Sequence, residues 1–427
     1  HSRFKFQHLL GVIIVSKKDF ERVDFTVKST TKDIFAFTKL VPERKKRIKK
    51  ASAEPIKEDP MNDLACYLHP ITQFLIIDEI IEETKTSKTF KLVADPNTPT
   101  KKLAYFRAGQ YISIKTEVED TPITRPYSIS SSPSDALRGF YTITIRKEEN
   151  GFLTNFAFEN WKIGTPIKTS GPEGFFYYEA LRDEKKIVGL AGGSGITPFR
   201  SMAREIAEGK LDIHLTIIYG SSDEEDIIFY DELKELERKY PDKIKLVIVL
   251  SCEEVTLEGC ETGFITSEII KKYTDIDNSS FFICGPQVMY EFIDTQLTEF
   301  NLPPKRVRRE LFGEIKDPVK LPNFPSEIKD ETFNIKIIIG GMTREIPAKG
   351  SETVLLALER AKLSPPSLCR SGECGFCRSR LLSGEVYINP INDGRRKADK
   401  KFNIFHPCSS YPLTDLEIEI PRTKDLS

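Results

Sequence analysis

Four cysteines near the C-terminal end of the chain have a spacing suited to binding iron. Cys369, Cys374 and Cys377 follow the pattern C-x4-C-x2-C, and Cys408 comes after 30 intervening residues. This spacing brings four thiolates around a [2Fe–2S] cluster. The four cysteines are therefore the predicted metal ligands.

The loop that carries these cysteines also contains Gly372 and Gly375. Glycine reaches backbone angles that other residues avoid and places no side chain against the cluster, so backbone N–H groups can point at its sulfur atoms. Zinc is the alternative metal for this site. Structural zinc sites usually pair two C-x2-C units, and this chain has one such unit, which favours the cluster.

The other four cysteines, Cys66, Cys252, Cys260 and Cys284, stand alone in the sequence. Eight cysteines in 427 residues are too few for a disulfide scaffold, so a reducing, cytoplasmic setting is expected.

Four further motifs are typical of nucleotide binding. In RPYSIS (125–130), an Arg, a Tyr and a Ser on one extended strand can pair with a phosphate, stack on a planar ring and hydrogen-bond to it. NGFLTNF (150–156) predicts a helix start whose free N–H groups suit a pyrophosphate. GGSGITP (192–198) directly follows a predicted strand, and such a glycine turn lets a dinucleotide phosphate approach the backbone. CGPQVM (284–289) ends a predicted parallel strand, at the edge where such sheets bind ligands.

The elements that must position these motifs change character along the chain. Period-2 segments such as YISIK (111–115) and YTITIR (141–146) predict a small antiparallel barrel. Continuous apolar strands such as IVGLA (187–191) and IKLVIVL (244–250) alternate with helical stretches, which predicts a parallel α/β sheet. The C-terminal part has a strand FNIKIII, a helix beginning near Ser351 and a late strand LEIEI.

The predicted fold class is therefore multi-domain, with an antiparallel β-barrel, an α/β parallel-sheet domain and a C-terminal domain. The family resemblance described below implies that these are a flavin domain, a nicotinamide domain and a β-grasp ferredoxin domain. With those identities, the predicted boundaries are an N-terminal extension of unknown role (1–67), the FAD-binding β-barrel (68–180), the NAD-binding α/β domain (181–311), a linker with three prolines (312–332) and the [2Fe–2S] ferredoxin-like domain (333–427).

The composition implies neither a nucleic-acid surface nor a strongly acidic partner. The formal charge is −1, with 39% apolar and 30% charged residues, so no nucleic-acid surface is expected. The segment LLGVIIV (9–15) predicts a strand and is far shorter than the roughly 20 residues of a membrane helix. Six of the seven residues from Arg44 to Lys50 are basic, which indicates a solvated helix face or linker. Contact with an anionic membrane is the alternative. Because the first residue is His rather than Met, a membrane anchor that precedes it stays an open alternative as well.

In this order and spacing, the nucleotide-binding motifs resemble those of the ferredoxin–NADP reductase superfamily. SLCRSGECGFCRSRLLSGEVY (367–387) and HPCSSYPLTDLEIEI (406–420) resemble plant-type ferredoxins, whose fold is a β-grasp. The combination is similar to the one-piece reductases of the phthalate dioxygenase reductase and phenylacetyl-CoA epoxidase reductase type. The resemblance covers about residues 68 to 422.

The resemblance implies roles for individual residues. Tyr127 is expected to pack against the isoalloxazine, Ser128 to lie near its N5, and Cys284 to lie beside the nicotinamide carbon that gives up hydride. Glu310, in REL before Phe312, is expected to close over the flavin with that phenylalanine, so Ser128, Cys284 and Glu310 are the expected catalytic residues. The other expected flavin contacts are Arg125, Pro126, Thr144, Ile145, Arg146, Gly151, Phe152, Leu153 and Thr154. The other expected contacts of the nicotinamide dinucleotide are Gly192, Gly193, Ser194, Gly195, Thr197, Tyr219, Ser221, Ser222, Gly285, Pro286 and Met289.

The choice of each nucleotide depends on one short segment. The helix start in GFLTNF resembles the FAD pattern, and FMN is the alternative. After the second parallel strand, relatives that prefer NADP place an Arg that meets the 2′-phosphate. Here Ser221 and Ser222 are followed by four carboxylates, Asp223 to Asp226, which would repel that phosphate and accept ribose hydroxyls. The expected donor is NADH, with NADPH as the alternative.

These sites predict an oxidoreductase that passes electrons from NADH through FAD and the [2Fe–2S] cluster to a partner protein, such as an oxygenase or another terminal redox enzyme. NADH delivers two electrons and the cluster accepts one, so a flavin between them is required. Two alternatives remain. One is a reductase of free flavin, ferric chelates or quinones, against which the four cysteines count. The other is a non-catalytic subunit of a larger complex that is open to membrane association, against which the intact motifs count.

Overall fold

The computed structural model describes residues 31–54, 58–149, 151–252, 255–315, 317–363, 365–390 and 393–421. The strand predicted over 9–15 lies outside these ranges. The chain divides into two compact units, His1–Met61 and Asn62–Ser427. Over the described ranges, no helix combines the length and the apolar character needed to cross a bilayer.

The first unit contains a 20-residue helix, α1 (Thr31–Lys50). Its described side chains are all exposed, so the basic run from Arg44 to Lys50 lies on a solvated helix, one of the two forms expected for it. The next helix, α2 (Pro60–Leu68), begins at the boundary between the units.

The first domain of the second unit is a six-stranded antiparallel barrel in the order β4-β3-β6-β1-β2-β5. A bridge between Ile129 and Ile143 joins the two ends of the sheet. Leu75, Ile77 and Phe90 point into the barrel, as the alternating pattern predicts. The elements are β1 (Gln73–Glu82), β2 (Ser87–Ala94), β3 (Tyr111–Val118), β4 (Thr121–Ser128), α3 (Pro133–Leu137), β5 (Phe140–Arg146), α4 (Phe152–Asn160) and β6 (Pro166–Thr169).

The second domain is a parallel sheet in the order β10-β9-β8-β7-β11-β12. Helices cover both faces, so a separate apolar core lies on each side and the central strands are apolar throughout. The elements are β7 (Lys186–Gly192), α5 (Thr197–Ala207), β8 (His214–Ser221), α6 (Tyr230–Lys239), β9 (Ile244–Leu250), β10 (Glu261–Thr262), α7 (Ser267–Tyr273), β11 (Ser279–Cys284), α8 (Gln287–Thr298) and β12 (Val307–Arg309).

The third domain is a five-stranded sheet in the order β14-β13-β19-β15-β17, with a second small sheet of β16 and β18. The helix α9 begins at Val354, three residues after the predicted start, because the Thr353 side chain caps it by accepting from Leu356 N–H. The elements are β13 (Thr332–Ile339), β14 (Met342–Lys349), α9 (Val354–Arg360), β15 (Ser379–Ser383), β16 (Val386–Ile388), α10 (Lys397–Lys401), β17 (Ile404–Phe405), β18 (Ser410–Pro412) and β19 (Leu416–Ile420).

The proline-rich segment before β13 is packed against the third domain. Leu321 and Phe324 are buried, and the Phe324 ring meets the rings of Tyr387 and Tyr411 edge-on at 5.1 and 5.7 Å. The Tyr387 hydroxyl donates to the Pro322 carbonyl at 2.8 Å. This segment therefore holds a fixed path over the domain that follows it.

Candidate active site

The four predicted metal ligands lie together in one loop and one short turn. Cys369, Cys377 and Cys408 are buried and Cys374 is half-buried. The Cys377 and Cys408 sulfur atoms are 3.4 Å apart, and the Cys374 N–H points at the Cys369 sulfur at 3.4 Å. Hydrogen bonds from the Cys374 and Cys408 thiols hold the pKa of Cys369 well below its usual value, which favours the thiolate that a metal requires.

The backbone of this loop has the conformation expected of its glycines. Gly372 and Gly375 have φ of 89° and 68°, and Arg370 also lies in the left-handed region at 60°. The Gly372 carbonyl is 2.7 Å from His406 Nδ1, which ties the loop to the turn that carries Cys408. Ser371 Oγ and His406 Nε2 are buried with no protein partner in the described chain. Four thiols and polar atoms that lack partners suit a buried cluster.

The RPYS segment occupies the second half of β4, paired with β3. Tyr127 packs against the barrel core, where burial raises the pKa of its hydroxyl, and Ser128 is buried opposite Tyr111. Pro126 is also buried. Arg125 does not extend free into solvent, because it pairs with Glu359 of α9 at 3.2 Å.

The predicted phosphate-binding helix is α4, which begins after the cap residue Gly151. Phe152 is exposed and Leu153 is buried in the barrel core. Thr154 Oγ1 accepts from the Glu148 N–H at 3.3 Å. Asn150 lies outside the described residues. Thr144 is buried, hydrogen-bonded to Thr89 at 2.8 Å, and Ile145 is buried in the core.

The glycine loop after β7 is in direct contact with the end of β11. Gly193–Ile196 form a 3-10 turn that leads into α5, with Pro198 in its first turn as predicted. A Cβ on Gly195 would lie 2.1 Å from the Cys284 carbonyl oxygen, so only glycine fits. A Cβ on Gly192 would lie 2.5 Å from Met289 Sδ and 3.0 Å from Pro286 Cδ. The contact between this loop and the end of β11 therefore requires glycine at both positions.

Four other residues expected at the dinucleotide are placed as follows. Tyr219 is fully buried, and its hydroxyl donates to the Gly193 carbonyl at 3.0 Å, so its contact with the loop is a supporting one. Ser221 is buried and donates to the Asp223 carbonyl at 2.9 Å, whereas Ser222 is exposed. Thr197 Oγ1 donates to the Ser194 carbonyl at 3.0 Å and fixes the turn.

Cys284, Glu310 and Phe312 meet at the junction of the three domains. Cys284 is buried, and the Glu310 N–H donates to the Ile283 carbonyl at 3.0 Å, next to Cys284 in the chain. Phe312 meets Tyr111 of the barrel edge-on, with ring centroids 5.4 Å apart. Tyr111 was not predicted from the sequence, since no motif surrounds it.

The Glu310 carboxyl is buried, and its Oε2 has no hydrogen-bond partner in the described chain. Burial, and then the Glu373 carboxylate, raise the pKa of Glu310 well above its usual range. Burial, and then Glu310, also raise the pKa of the Cys284 thiol. Both shifts favour the protonated, neutral forms of the two side chains.

Arg146 joins the barrel to the second domain. Its guanidinium pairs with Asp226 at 2.5 Å, and a Cβ on Gly193 would lie 2.7 Å from its Nη1. Thr84 and Thr86 donate to the same carboxylate at 2.5 and 2.6 Å. Arg146 thus lies between the predicted flavin phosphate site and the glycine loop.

The carboxylates after β8, which are expected to accept ribose hydroxyls, already make contacts within the protein. Glu224 accepts from the Thr256 hydroxyl at 2.7 Å, and Glu225 pairs with Lys85. Asp223 accepts from the Glu225 N–H at 2.9 Å. The contacts with Thr256 and Lys85 join segments that are distant in the sequence, so no local pattern predicts them.

A buried ion-pair network that was not predicted connects the barrel to the cluster loop. Glu359 of α9 accepts from Arg125 at 3.2 Å and from Arg370 at 2.5 Å. Arg370, between Cys369 and Ser371, also pairs with Glu314. The Ser113 hydroxyl of β3 donates to the Leu368 carbonyl at 3.2 Å. The cluster loop therefore docks on the strands that carry the flavin motif.

The chain matches three family models in succession. Residues 76–178 match an oxidoreductase FAD-binding domain, residues 190–295 an oxidoreductase NAD-binding domain, and residues 337–413 a 2Fe-2S iron-sulfur cluster binding domain. The predicted cofactor classes, FAD, a nicotinamide nucleotide and a [2Fe–2S] cluster, are confirmed by these matches.

Curated relatives share this length and order. The chain is 27% identical over 372 residues to the ferredoxin reductase component of 3-ketosteroid-9-alpha-monooxygenase from Mycobacterium tuberculosis, covering 85% of this chain and 97% of that protein. It is 26% identical over 354 residues to the glycine betaine monooxygenase reductase from Chromohalobacter salexigens, covering 80% of this chain and 93% of that protein. Similarity to both extends over nearly their whole length.

A solved structure has the same architecture. Phthalate dioxygenase reductase, described as modular for electron transfer from pyridine nucleotides to [2Fe–2S], superposes with a TM-score of 0.57 at 24% identity. The match covers 82% of this chain and 98% of that one. The predicted three-domain fold class is confirmed.

Proposed function

Because the chain belongs to the ferredoxin–NADP reductase superfamily and carries a C-terminal [2Fe–2S] domain, we propose that it passes electrons from NADH through FAD and the cluster to a partner oxygenase. It is an oxidoreductase with FAD-binding and NAD-binding domains. A single observation carries the proposal. The cluster loop, the flavin strand and the end of the nicotinamide domain meet at one junction, through Ser113 and Leu368 on one side and Tyr111 and Phe312 on the other.

A bound flavin supplies the exchange between hydride transfer and single-electron transfer. The chain's own residues provide position and exclusion of water. Tyr111 and Phe312 form an apolar wall, while Cys284 and Glu310 present neutral groups beside it. A neutral wall avoids an ionised neighbour that would oppose charge arriving with hydride.

Within this proposal, Glu310 holds a proton at its carboxyl. Its Oε2 is buried with no partner in the described chain, and burial raises the pKa of the carboxyl, which favours the protonated form. Ser128 is buried on the adjacent strand and offers a hydroxyl donor. These groups are assigned to orient the flavin ring, and Cys284 is assigned to the nicotinamide side.

FAD is proposed over FMN because α4 offers nine helical residues after Gly151, a helix start large enough to receive a pyrophosphate. Arg146 lies between this region and the glycine loop. Its pairing with Asp226 fixes the direction of the guanidinium.

NADH is proposed over NADPH on charge alone. Four carboxylates follow Ser222, and although the protein engages them, they leave negative charge where a 2′-phosphate would lie. Of the cations beside this turn, Lys85 is already paired with Glu225 and Arg146 with Asp226. Repulsion, rather than hydrogen bonding to the ribose, is therefore the basis of the proposed preference.

The test is an anaerobic stopped-flow absorbance experiment in which the holoenzyme is mixed with NADH or with NADPH. Bleaching of the flavin followed by bleaching of the cluster, with NADH much faster than NADPH, is expected. Flavin bleaching without a cluster signal would contradict the proposed electron path. Equal rates with both nucleotides would contradict the NADH preference alone.

A further inference from the structure

The two ends of the cluster loop have different neighbours. At its first cysteine, the loop faces the flavin barrel through the Leu368 carbonyl and Arg370. Between the second and third cysteines, Phe376 is 39% exposed and Cys374 is half-buried. The loop is therefore enclosed where electrons arrive and open near Cys374.

The open end is surrounded by basic and aromatic side chains. Arg378 directly follows Cys377, and its side chain is 43% exposed. Residues 393–396 lie against the loop, since a Cβ on Gly394 would be 2.4 Å from the Gly372 carbonyl oxygen. The helix α10 follows at once, and Phe402 after it is 58% exposed. We call Phe376, Arg378, Arg396, Lys397, Lys400 and Phe402 the exit surface.

The segment that carries most of this surface is basic, although Glu373, whose Cα would lie 3.0 Å from a Cβ on Gly394, adds one carboxylate beside it. Residues 393–401 contain five basic and two acidic side chains, a formal charge of +3, whereas the whole chain carries −1. Asp393 is engaged by Arg395 at 2.8 Å and by Lys400 at 3.0 Å. Asp399 is buried and pairs with Arg378 at 3.4 Å. Within the described ranges, Arg396 and Lys397 have no carboxylate at ion-pair distance.

We propose that the exit surface docks a partner protein whose redox centre is surrounded by acidic side chains. The inference rests on the proposed function, because it concerns where electrons leave the cluster. One electron passes from the reduced cluster to the acceptor, the cluster is oxidised and the acceptor reduced, and no bond or proton changes place. Opposite charges on the two proteins would speed their encounter, an effect that salt screens.

A protein fits this surface better than a membrane or a nucleic acid. The basic residues belong to a segment that packs on the cluster loop, and that loop carries an exposed ring at Phe376 and a half-buried ligand at Cys374, so the surface pairs charge with apolar contact beside the cluster. A surface that bound phosphates by charge alone would not need to lie beside the cluster.

The test uses one haem protein in two charge forms. Lysine-rich cytochrome c and the same protein succinylated, which converts its lysines to carboxylates, are added to the holoenzyme at low and at moderate salt. Binding is measured by microscale thermophoresis, and haem reduction is followed separately after NADH is added. The succinylated form is expected to bind more tightly and to lose affinity as salt rises.

Arg396→Glu/Lys397→Glu is the variant, and Lys162→Glu/Lys210→Glu, at exposed sites in the other two domains, is the matched control. The variant is expected to weaken binding of succinylated cytochrome c about tenfold at low salt, and the control to leave it unchanged. Cluster absorption and the rate of flavin bleaching verify that both proteins are intact.

Three results would overturn the inference: equal binding of both charge forms, equal effects of variant and control, or variant-sensitive binding to phosphatidylserine vesicles in place of the haem protein. The last would assign the surface to a membrane. Failure of NADH to reduce the cluster would instead contradict the proposed function, and it is read from the cluster absorbance before any acceptor is added.

Discussion

Arg125 of the barrel strand and Glu359 of the ferredoxin-domain helix form an ion pair, with Nη1 3.2 Å from Oε2, across 234 residues of sequence. Glu359 is 3% exposed and also receives a hydrogen bond from Arg370 of the cluster loop. One carboxylate therefore balances two guanidinium groups, one from each side of the junction through which the electrons must pass.

Replacing that carboxylate should loosen the junction. Glu359→Gln removes the counter-charge of Arg125 and leaves Arg370 with Glu314 as its remaining partner. We expect this to cost about 3 kcal/mol of stability and to slow electron transfer from flavin to cluster. Urea-induced loss of the cluster absorption measures the first effect and stopped-flow bleaching the second. Glu352→Gln is the control, because its partner Arg360 is half exposed, and it should cost less than about 1 kcal/mol. Equal losses in both variants would show that the network has no special role.

The contact between the glycine loop and Cys284 should control nucleotide binding. In Gly195→Ala the new methyl group would lie 2.1 Å from the Cys284 carbonyl oxygen, so the two loops must separate. We expect KM for NADH to rise about tenfold or more while flavin and cluster content stay unchanged. Gly209→Ala, at a position with open space but a left-handed φ of 69°, controls for the general strain of replacing a glycine away from this contact. An unchanged KM in Gly195→Ala would mean that the loops do not hold the nucleotide.

Removing one cluster ligand should abolish electron transfer to the cluster and leave reduction of the flavin intact. Cys374→Ala leaves three thiols, so we expect loss of the cluster absorption and of cytochrome c reduction, with NADH-driven flavin bleaching retained. Cys66→Ala, at an exposed position outside the loop, should behave like the parent protein. Full cluster content in Cys374→Ala would contradict its assignment as a ligand.

Glu205 on α5 should make stability depend on pH. Burial, and then the charge of Glu208, raise the pKa of Glu205 from 4.5 to about 7. In this pH window the folded protein keeps a proton that the unfolded chain has released, so stability falls as pH rises from 4.5 towards 7. Glu205→Gln should flatten this profile and add about 1–2 kcal/mol above pH 7, after allowance for its partial exposure. Thermal unfolding at several pH values measures this dependence of stability on pH. Glu159→Gln, at an exposed position, should leave the profile unchanged, and a parallel profile for Glu205→Gln would contradict the assignment.

The parts of the site that lie within one motif could be predicted from the sequence. The cysteine loop, the helix start at Gly151 and the glycine turn after β7 are local, because spacing and residue type determine them over a few residues. Glu359 and Ser113 could not be found in this way. Their roles come from contacts with Arg125 and Leu368, and no local pattern marks a side chain that is paired with a distant segment.

The acidic turn after β8 shows the same limit in the opposite direction. Residue types there indicate negative charge, but they do not indicate that Thr256 and Lys85 approach Glu224 and Glu225 from other parts of the chain. Composition predicts the charge of a segment, and tertiary contacts decide which of its atoms remain able to bind a ligand.

The burial of Phe324 between Tyr387 and Tyr411 has a practical consequence for exchanging modules between reductases. A ferredoxin unit excised at the first residue of β13 would leave both tyrosine rings without their cover and the Tyr387 hydroxyl without its acceptor at Pro322. A ferredoxin unit for transfer to another reductase should therefore begin before Leu321, upstream of the sheet. A chimera joined there keeps the packing of Phe324 against Tyr387 and Tyr411.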